Sequence, residues 1–329
     1  MKIIVKYLST SLFILLLISA CSGNNSPDSS TNSGSVFLEH QTINVAETTR
    51  RYHLILPNRP EDASLVFLFH GNTGSSDQIL GRDNTKAPYK VWLTIAEREN
   101  LVLVVPDGAV GSSGKQGWND CRADIQTNPE TDDVAFVSAL LDDIQTRYLS
   151  NDANIFAVGT SNGGKMVQRL ADEVPEKFDA VAVMVTSRPI NSACTESDLP
   201  LSILFMNGTS DPLVPYEGGQ VASDRGEVFS TDETVAYWIN RNQTTTTPTI
   251  FNVADSALRD DSTITRYSYT NGADQSVVEH YEVVNGGHTE PSIEERYGVI
   301  YKLIVGNQNA DLEFAEEVWT FFSARVNSN

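Results

Sequence analysis

The stretch NIFAVGTSNGGKMVQRL, residues 154–170, changes period in the middle. Asn154 to Val158 reads as a short buried strand. Lys165 to Leu170 reads as a helix with Met166, Val167 and Leu170 on one face. Between them stands Gly159-x-Ser161-x-Gly163. A chain that passes straight from strand to helix brings two backbones together where a Cβ would collide, which explains glycine on both sides. Ser161 then sits in a strained backbone with its hydroxyl turned outward. A strand, a helix and a presented nucleophile are thus written into one short segment.

The rest of the chain extends the pattern. Leu65–Phe69 and Leu101–Val105 are continuous apolar runs, as expected for strands buried on both faces. Arg51–Leu56 alternates like an edge strand, and Val91–Arg98 is amphipathic. Asp133–Tyr148 places Val134, Val137, Leu140, Leu141 and Ile144 at helical spacing. Strands are expected at Ala180–Val185, Leu201–Met206, Ile264–Tyr269 and Val277–Val284. Helices are expected at Thr231–Ile239 and Leu312–Phe322. Strands alternating with helices specify an α/β fold with a doubly wound, mostly parallel sheet. Only about fifteen residues separate the strands ending at Val185 and starting at Leu201, too few for a large cap domain. Pro106–Asp132 is Gly- and Asp-rich and aperiodic, a length of loop that points to function. Trp118 lies in it, either as a substrate-binding platform or as a pin holding the loop to the core.

The 329 residues carry 43 acidic and 23 basic side chains, a formal charge of −20. Such a surface repels nucleic acid, and no nucleic-acid or obligate protein partner is expected. At the start, Lys2 and Lys6 precede the apolar run Leu12–Ile18, too short to span a bilayer and typical of a secretory leader. It ends Ile18-Ser19-Ala20-Cys21, which resembles a bacterial lipobox. The expected organisation is a leader over 1–20, a lipidated Cys21 opening a polar tether over 21–35, and a catalytic domain over 36–329. A lipid anchor puts that domain in the cell envelope, on the outer membrane or cell surface, with plain secretion as the alternative. Two cysteines remain in the domain, Cys121 and Cys194. In an oxidising envelope they form a disulfide more often than they stay as separate thiols.

The unit around Ser161 resembles the nucleophile elbow of α/β-hydrolases, in which the partners follow in the order serine, acid, histidine. A serine hydroxyl needs a histidine to take its proton and a carboxylate to orient that histidine. Only His280 and His288 follow Ser161. His280 lies inside an alternating strand, whereas His288 follows it in a Gly-rich loop, so His288 is the expected base. The acid is expected after the strand Leu201–Met206, at Asp211. Oxyanion donors would be the backbone N–H groups of Asn162 and of Asn72, which follows the early strand; His70 reads as structural.

Seven stretches then resemble one family in order. They are FLFHGNTGSS, VVPDG…GWND, DDVAFVSALLDDI, VGTSNGGKMVQRLADEVPEKFDAVA, LFMNGTSDPLVPYEGG, VNGGHTEP and AEEVWTFF. The family is the polyhydroxybutyrate-depolymerase-like and feruloyl-esterase-like group of secreted α/β-hydrolases, and the resemblance covers nearly all of residues 50 to 322. It implies carboxylic ester hydrolysis with no metal or other cofactor, a triad of Ser161, Asp211 and His288, and a pairing of Cys121 with Cys194. Two positions depart from the family pattern: Glu290 stands where a Trp often follows Gly-His-Thr, and Asn72 where many members have Cys. With an uncapped site, the expected substrate is a short-acyl ester on a polymer or glycan. A non-catalytic glycan- or polymer-binding lipoprotein and a serine peptidase of the same fold are the other readings.

Overall fold

The structure is a computed structural model that describes residues 34–326. The expected leader, Cys21 and most of the tether lie outside the described residues.

Ten strands form one sheet: β1 (Val36–Val45), β2 (Thr48–Leu56), β3 (Ser64–Phe69), β4 (Leu101–Pro106), β5 (Ile155–Thr160), β6 (Ala180–Met184), β7 (Ser202–Gly208), β8 (Thr249–Asn252), β9 (Thr263–Tyr269) and β10 (Val278–Val284). Their order across the sheet is β1-β2-β4-β3-β5-β6-β7-β10-β9-β8. From β4 through β10 the six neighbouring strands are parallel. At each end the sheet continues antiparallel, through β2 and β1 on one side and β9 and β8 on the other. Arg51–Leu56 is therefore not an edge. Val36–Val45 pairs along it and takes the edge position.

The central strands are apolar throughout because both faces are covered. Along β3, Leu65, Phe67 and Phe69 pack on one side and Val66 and Leu68 on the other. The first side receives α3 (Asp133–Tyr148), α4 (Asn162–Glu173) and α5 (Thr231–Asn242), through Phe136, Leu140, Ile144, Met166, Leu170 and Trp238. The second receives α1 (Ser76–Ile79), α2 (Val91–Glu99) and α7 (Phe314–Ser323), through Ile79, Trp92, Ile95, Phe314, Val318 and Phe322. Phe322 stacks on Phe156 of β5 with ring centres 4.6 Å apart. Fully burying a side chain of this size contributes about 1.5–3 kcal/mol, so these stripes dominate the stability. This is the α/β-hydrolase arrangement: a mostly parallel sheet, doubly wound, open rather than closed into a barrel. The chain from Val185 to Leu201 crosses between β6 and β7 with no inserted domain.

Candidate active site

Ser161 ends β5 and begins α4 with φ 55° and ψ −117°, a conformation that L-residues rarely adopt. Both glycines of the turn are required by contact. A Cβ on Gly159 would lie 2.4 Å from the Gly163 carbonyl oxygen. One on Gly163 would lie 2.4 Å from the carbonyl oxygens of Phe69 and His70. The second approach presses the elbow onto the end of β3 and sets the following loop, with Asn72, beside Ser161. Asn162 is the first residue of α4, where N–H groups lack an intrahelical acceptor.

The acid and base loops are joined in the same way. A Cβ on Gly208 would lie 2.4 Å from the carbonyl oxygens of Gly286 and Gly287. The Ser210 N–H donates to the Gly286 carbonyl at 2.9 Å, and the His288 N–H to that of Val305 at 2.6 Å. His288 Nδ1 meets Asp211 Oδ2 at 2.7 Å. Asp211 Oδ1 accepts from the N–H groups of Leu213 and Val214 at 2.7 and 2.9 Å, which fixes its rotamer. A carboxylate on Nδ1 selects the tautomer that carries its proton there and leaves Nε2 free to accept.

Ser161, His288 and Asn72 line one cavity of about 680 Å³, with Thr160, Leu213, Val214, Arg225, Glu290 and Tyr297 among its other walls. Asp211 sits behind His288, and Asn162 lies just below the nucleophile.

Trp118 corrects one expectation. It is fully buried and does not line the cavity, so it is no substrate platform. Its N–H donates to Asn162 Oδ1 at 2.8 Å and its indole Nε1 to the His70 carbonyl at 2.8 Å. The indole packs edge-on against Phe69. An amphipathic ring with a satisfied N–H in a dry site is a pin, and it holds the Pro106–Asp132 loop under the elbow. That loop also supports the Asn72 turn, since Gln116 carbonyl accepts from the Thr73 N–H at 2.8 Å.

Two other histidines, His70 and His280, are buried. His70 Nε2 accepts from the Gly108 N–H at 2.9 Å, so its proton is on Nδ1, which donates to the Gly71 carbonyl at 2.7 Å. His280 is buried on β10 and burial pushes it down to about 4. Sequence reasoning missed the buried set beneath the elbow: Asn162 Nδ2 donates to Asp120, whose carboxylate pairs with Arg122 at 2.6 Å. Burial is the largest single influence on Asp120 and raises it, but the Arg122 charge and hydrogen bond, the Lys165 charge and the Asn162 hydrogen bond together outweigh burial and hold the carboxyl below its usual range. No spacing rule points to that pair. Cys121 and Cys194 form a disulfide with Cα atoms 5.3 Å apart.

The fold is that of the α/β-hydrolases. A protein of Aspergillus niger named "Probable feruloyl esterase C" is 29% identical over 227 residues, 66% of this chain and 76% of its own length. A Nocardia uniformis protein bearing an esterase name, NocK, is 28% identical over 179 residues, 53% of this chain but 48% of its own length. The chain thus spans about half the length of that relative. Acetyl xylan esterase from Aspergillus awamori has the same fold, with a TM-score of 0.50, 14% identity, and coverage of 80% of this chain and 97% of that one. No family model matches the chain. The chain is thus similar to proteins that carry esterase names.

Proposed function

We propose that this protein is a serine carboxylic ester hydrolase working through Ser161, His288 and Asp211. The observation that carries the reading is the 2.7 Å contact of Asp211 with His288 on a cavity that also holds the strained Ser161. In this reading His288 Nε2 takes the Ser161 proton as the hydroxyl oxygen attacks the ester carbonyl. The N–H groups of Asn72 and Asn162 receive the oxyanion, and His288 returns the proton to the leaving alcohol. Water then repeats the sequence on the acyl-enzyme. Asp211 holds the imidazole in register and stabilises its charged form. The esterase names of the relatives agree with this chemistry.

A fluorophosphonate probe tests it. Wild type should label and Ser161→Ala should not. Ser161→Ala or His288→Ala should each lower turnover of p-nitrophenyl acetate by about 10⁴-fold or more, with Asp211→Asn milder and the losses non-additive. Absence of labelling would favour a binding protein, and faster cleavage of peptide anilides a peptidase.

The reading extends to short acyl groups on a polymer or glycan, because the site carries no inserted cap between β6 and β7. Faster cleavage of the p-nitrophenyl palmitate ester than of the acetate or butyrate would overturn that. Location belongs to the same proposal: an envelope enzyme held by lipid on Cys21 and by the polar leash behind it. Among the described residues no helix is long and apolar enough to cross a membrane. Cys21→Ser should move the enzyme from the membrane fraction to the soluble one without loss of activity; retention in the membrane fraction would refute the anchor.

A further inference from the structure

One wall of the cavity contains polar groups that the triad does not use. Glu290, two residues past His288, is 3% exposed. It accepts from the Thr160 hydroxyl through Oε1 and from the Tyr297 hydroxyl through Oε2, the latter at 3.0 Å. Among the described residues no salt bridge neutralises it; Lys86 of the same cavity pairs with Glu295, and Arg225, the other basic side chain of the lining, makes no ion pair with Glu290. Each carboxylate oxygen with one donor retains acceptor capacity. Tyr89 lines the same wall and is 2% exposed, and its hydroxyl is buried without a hydrogen-bond partner among the described residues. Burial, and after it the Glu290 charge, hold the phenol well above its usual pKa, so it stays a donor.

An unpaired buried hydroxyl costs about 1–3 kcal/mol, and in a cavity wall it marks the place of a missing partner. The two groups restrict what that partner is. A cation would satisfy Glu290 and leave Tyr89 without an acceptor. A carboxylate or phosphate would accept from Tyr89 and be repelled by Glu290. An ether or carbonyl accepts only. A hydroxyl group both donates and accepts.

We propose that Tyr89 and Glu290 form a hydroxyl-recognition subsite, in which a substrate hydroxyl donates to the Glu290 carboxylate and accepts from the Tyr89 phenol. The subsite rests on the esterase reading above and narrows it to esters that carry a free hydroxyl near the scissile bond. The hydroxyl comes from the acyl part or from the alcohol part of the ester, and the two sources are separable.

The test uses matched esters. One pair, p-nitrophenyl 3-hydroxybutyrate and p-nitrophenyl butyrate, differs by a hydroxyl in the acyl group. The other, 2-hydroxyethyl butyrate and propyl butyrate, differs by one in the alcohol. kcat/KM is measured for wild type, Tyr89→Phe and Glu290→Gln, and Kd for the same ligands on Ser161→Ala. The hydroxylated ester should be preferred about tenfold or more in one pair, which identifies the source, and either variant should bring that ratio close to one. Tyr89→Phe removes only an unpartnered hydroxyl, so it should melt at or above the wild-type temperature and remain a fair test. A wild-type ratio near one in both pairs would overturn the subsite. So would a ratio unchanged in Tyr89→Phe, which would mean that the wall holds an ordered water only. If wild type turns over none of these esters, the esterase reading falls, and the Kd ratios on Ser161→Ala still decide the subsite.

Discussion

Ser161 holds a conformation that costs roughly 1–3 kcal/mol, and the turn that imposes it is built from contacts on both sides. Removing the Cβ should release that strain. Ser161→Gly and Ser161→Ala both lack the nucleophile, but the glycine variant should be more stable by about 1 kcal/mol, after the entropy that glycine adds to the unfolded chain. Equal urea midpoints for the two would show that the turn is not strained. A second residue makes stability depend on pH. His280 lies between Tyr216 and Tyr267 with its Nε2 unpartnered, and burial lowers it from 6.5 to about 4. Between those two values the unfolded chain binds a proton that the folded chain refuses. Stability is therefore complete above pH 6.5, falls as pH drops toward 4, and levels off below. The whole effect is on the order of 3 kcal/mol. His280→Phe keeps an aromatic ring in the stack and has nothing to protonate. Its unfolding free energy should lose about 2–3 kcal/mol less than wild type between pH 7 and pH 4.5. Parallel curves for the two proteins would place the acid sensitivity elsewhere.

The elements that carry the site were legible because each has a local signature. The turn at Ser161 needs glycine, the buried strands are uninterrupted apolar runs, and α3 shows helical spacing from its first residue to its last. Three elements left no such signal. β1 binds its neighbour through backbone hydrogen bonds while most of its side chains are half or fully exposed, so it does not alternate cleanly. β8 is exposed along its whole length. Helix α6 (Val299–Val305) turns Val299, Ile300 and Leu303 outward, the reverse of the pattern by which helices are recognised. The start of α4 was read late, at Lys165 rather than Asn162, because Asn162, Gly163 and Gly164 contribute no apolar side chain to its stripe. Trp118 stayed ambiguous for a related reason: sequence shows that an indole sits in a loop, and only packing shows which way it faces. The close approaches of elements give a sharper prediction. Gly163→Ala places a Cβ against the end of β3 with only backbone atoms to yield. Moving that contact displaces both the nucleophile and the Asn72 turn. Turnover should fall by at least about 10²-fold even in the fraction that folds. Wild-type turnover in Gly163→Ala would mean that the elbow and β3 can separate without consequence.

At the scale of the molecule, the site is assembled from loops at one end of the parallel strands, drawn from residues as far apart as His70 and Val305. Local packing of each loop does not by itself hold these segments in mutual register. The disulfide does so for one part, joining the loop that pins the elbow to the crossing between β6 and β7 over a separation of 73 residues. Around it the two segments also run side by side. The Ala193 N–H donates to the Cys121 carbonyl at 2.8 Å, and the Ala123 N–H to that of Asn191 at 2.9 Å. These bonds do not need the sulfur link, so the folded state should keep its geometry when the link is absent. The cost then falls on the unfolded chain, which gains the freedom of an open loop. For a separation of this size the gain is worth about 4 kcal/mol on the chain-entropy account. Cys121→Ser/Cys194→Ser should therefore keep most of the wild-type kcat/KM at low temperature and lose several kcal/mol of unfolding free energy in urea, with an earlier midpoint. Dithiothreitol should shift the wild-type midpoint toward that of the double variant and leave the variant unmoved. A double variant that unfolds with wild type would show that the paired segments, and not the bridge, limit the open chain. One that is stable but inactive would show that the bridge sets the position of Trp118 and, through it, of Asn162.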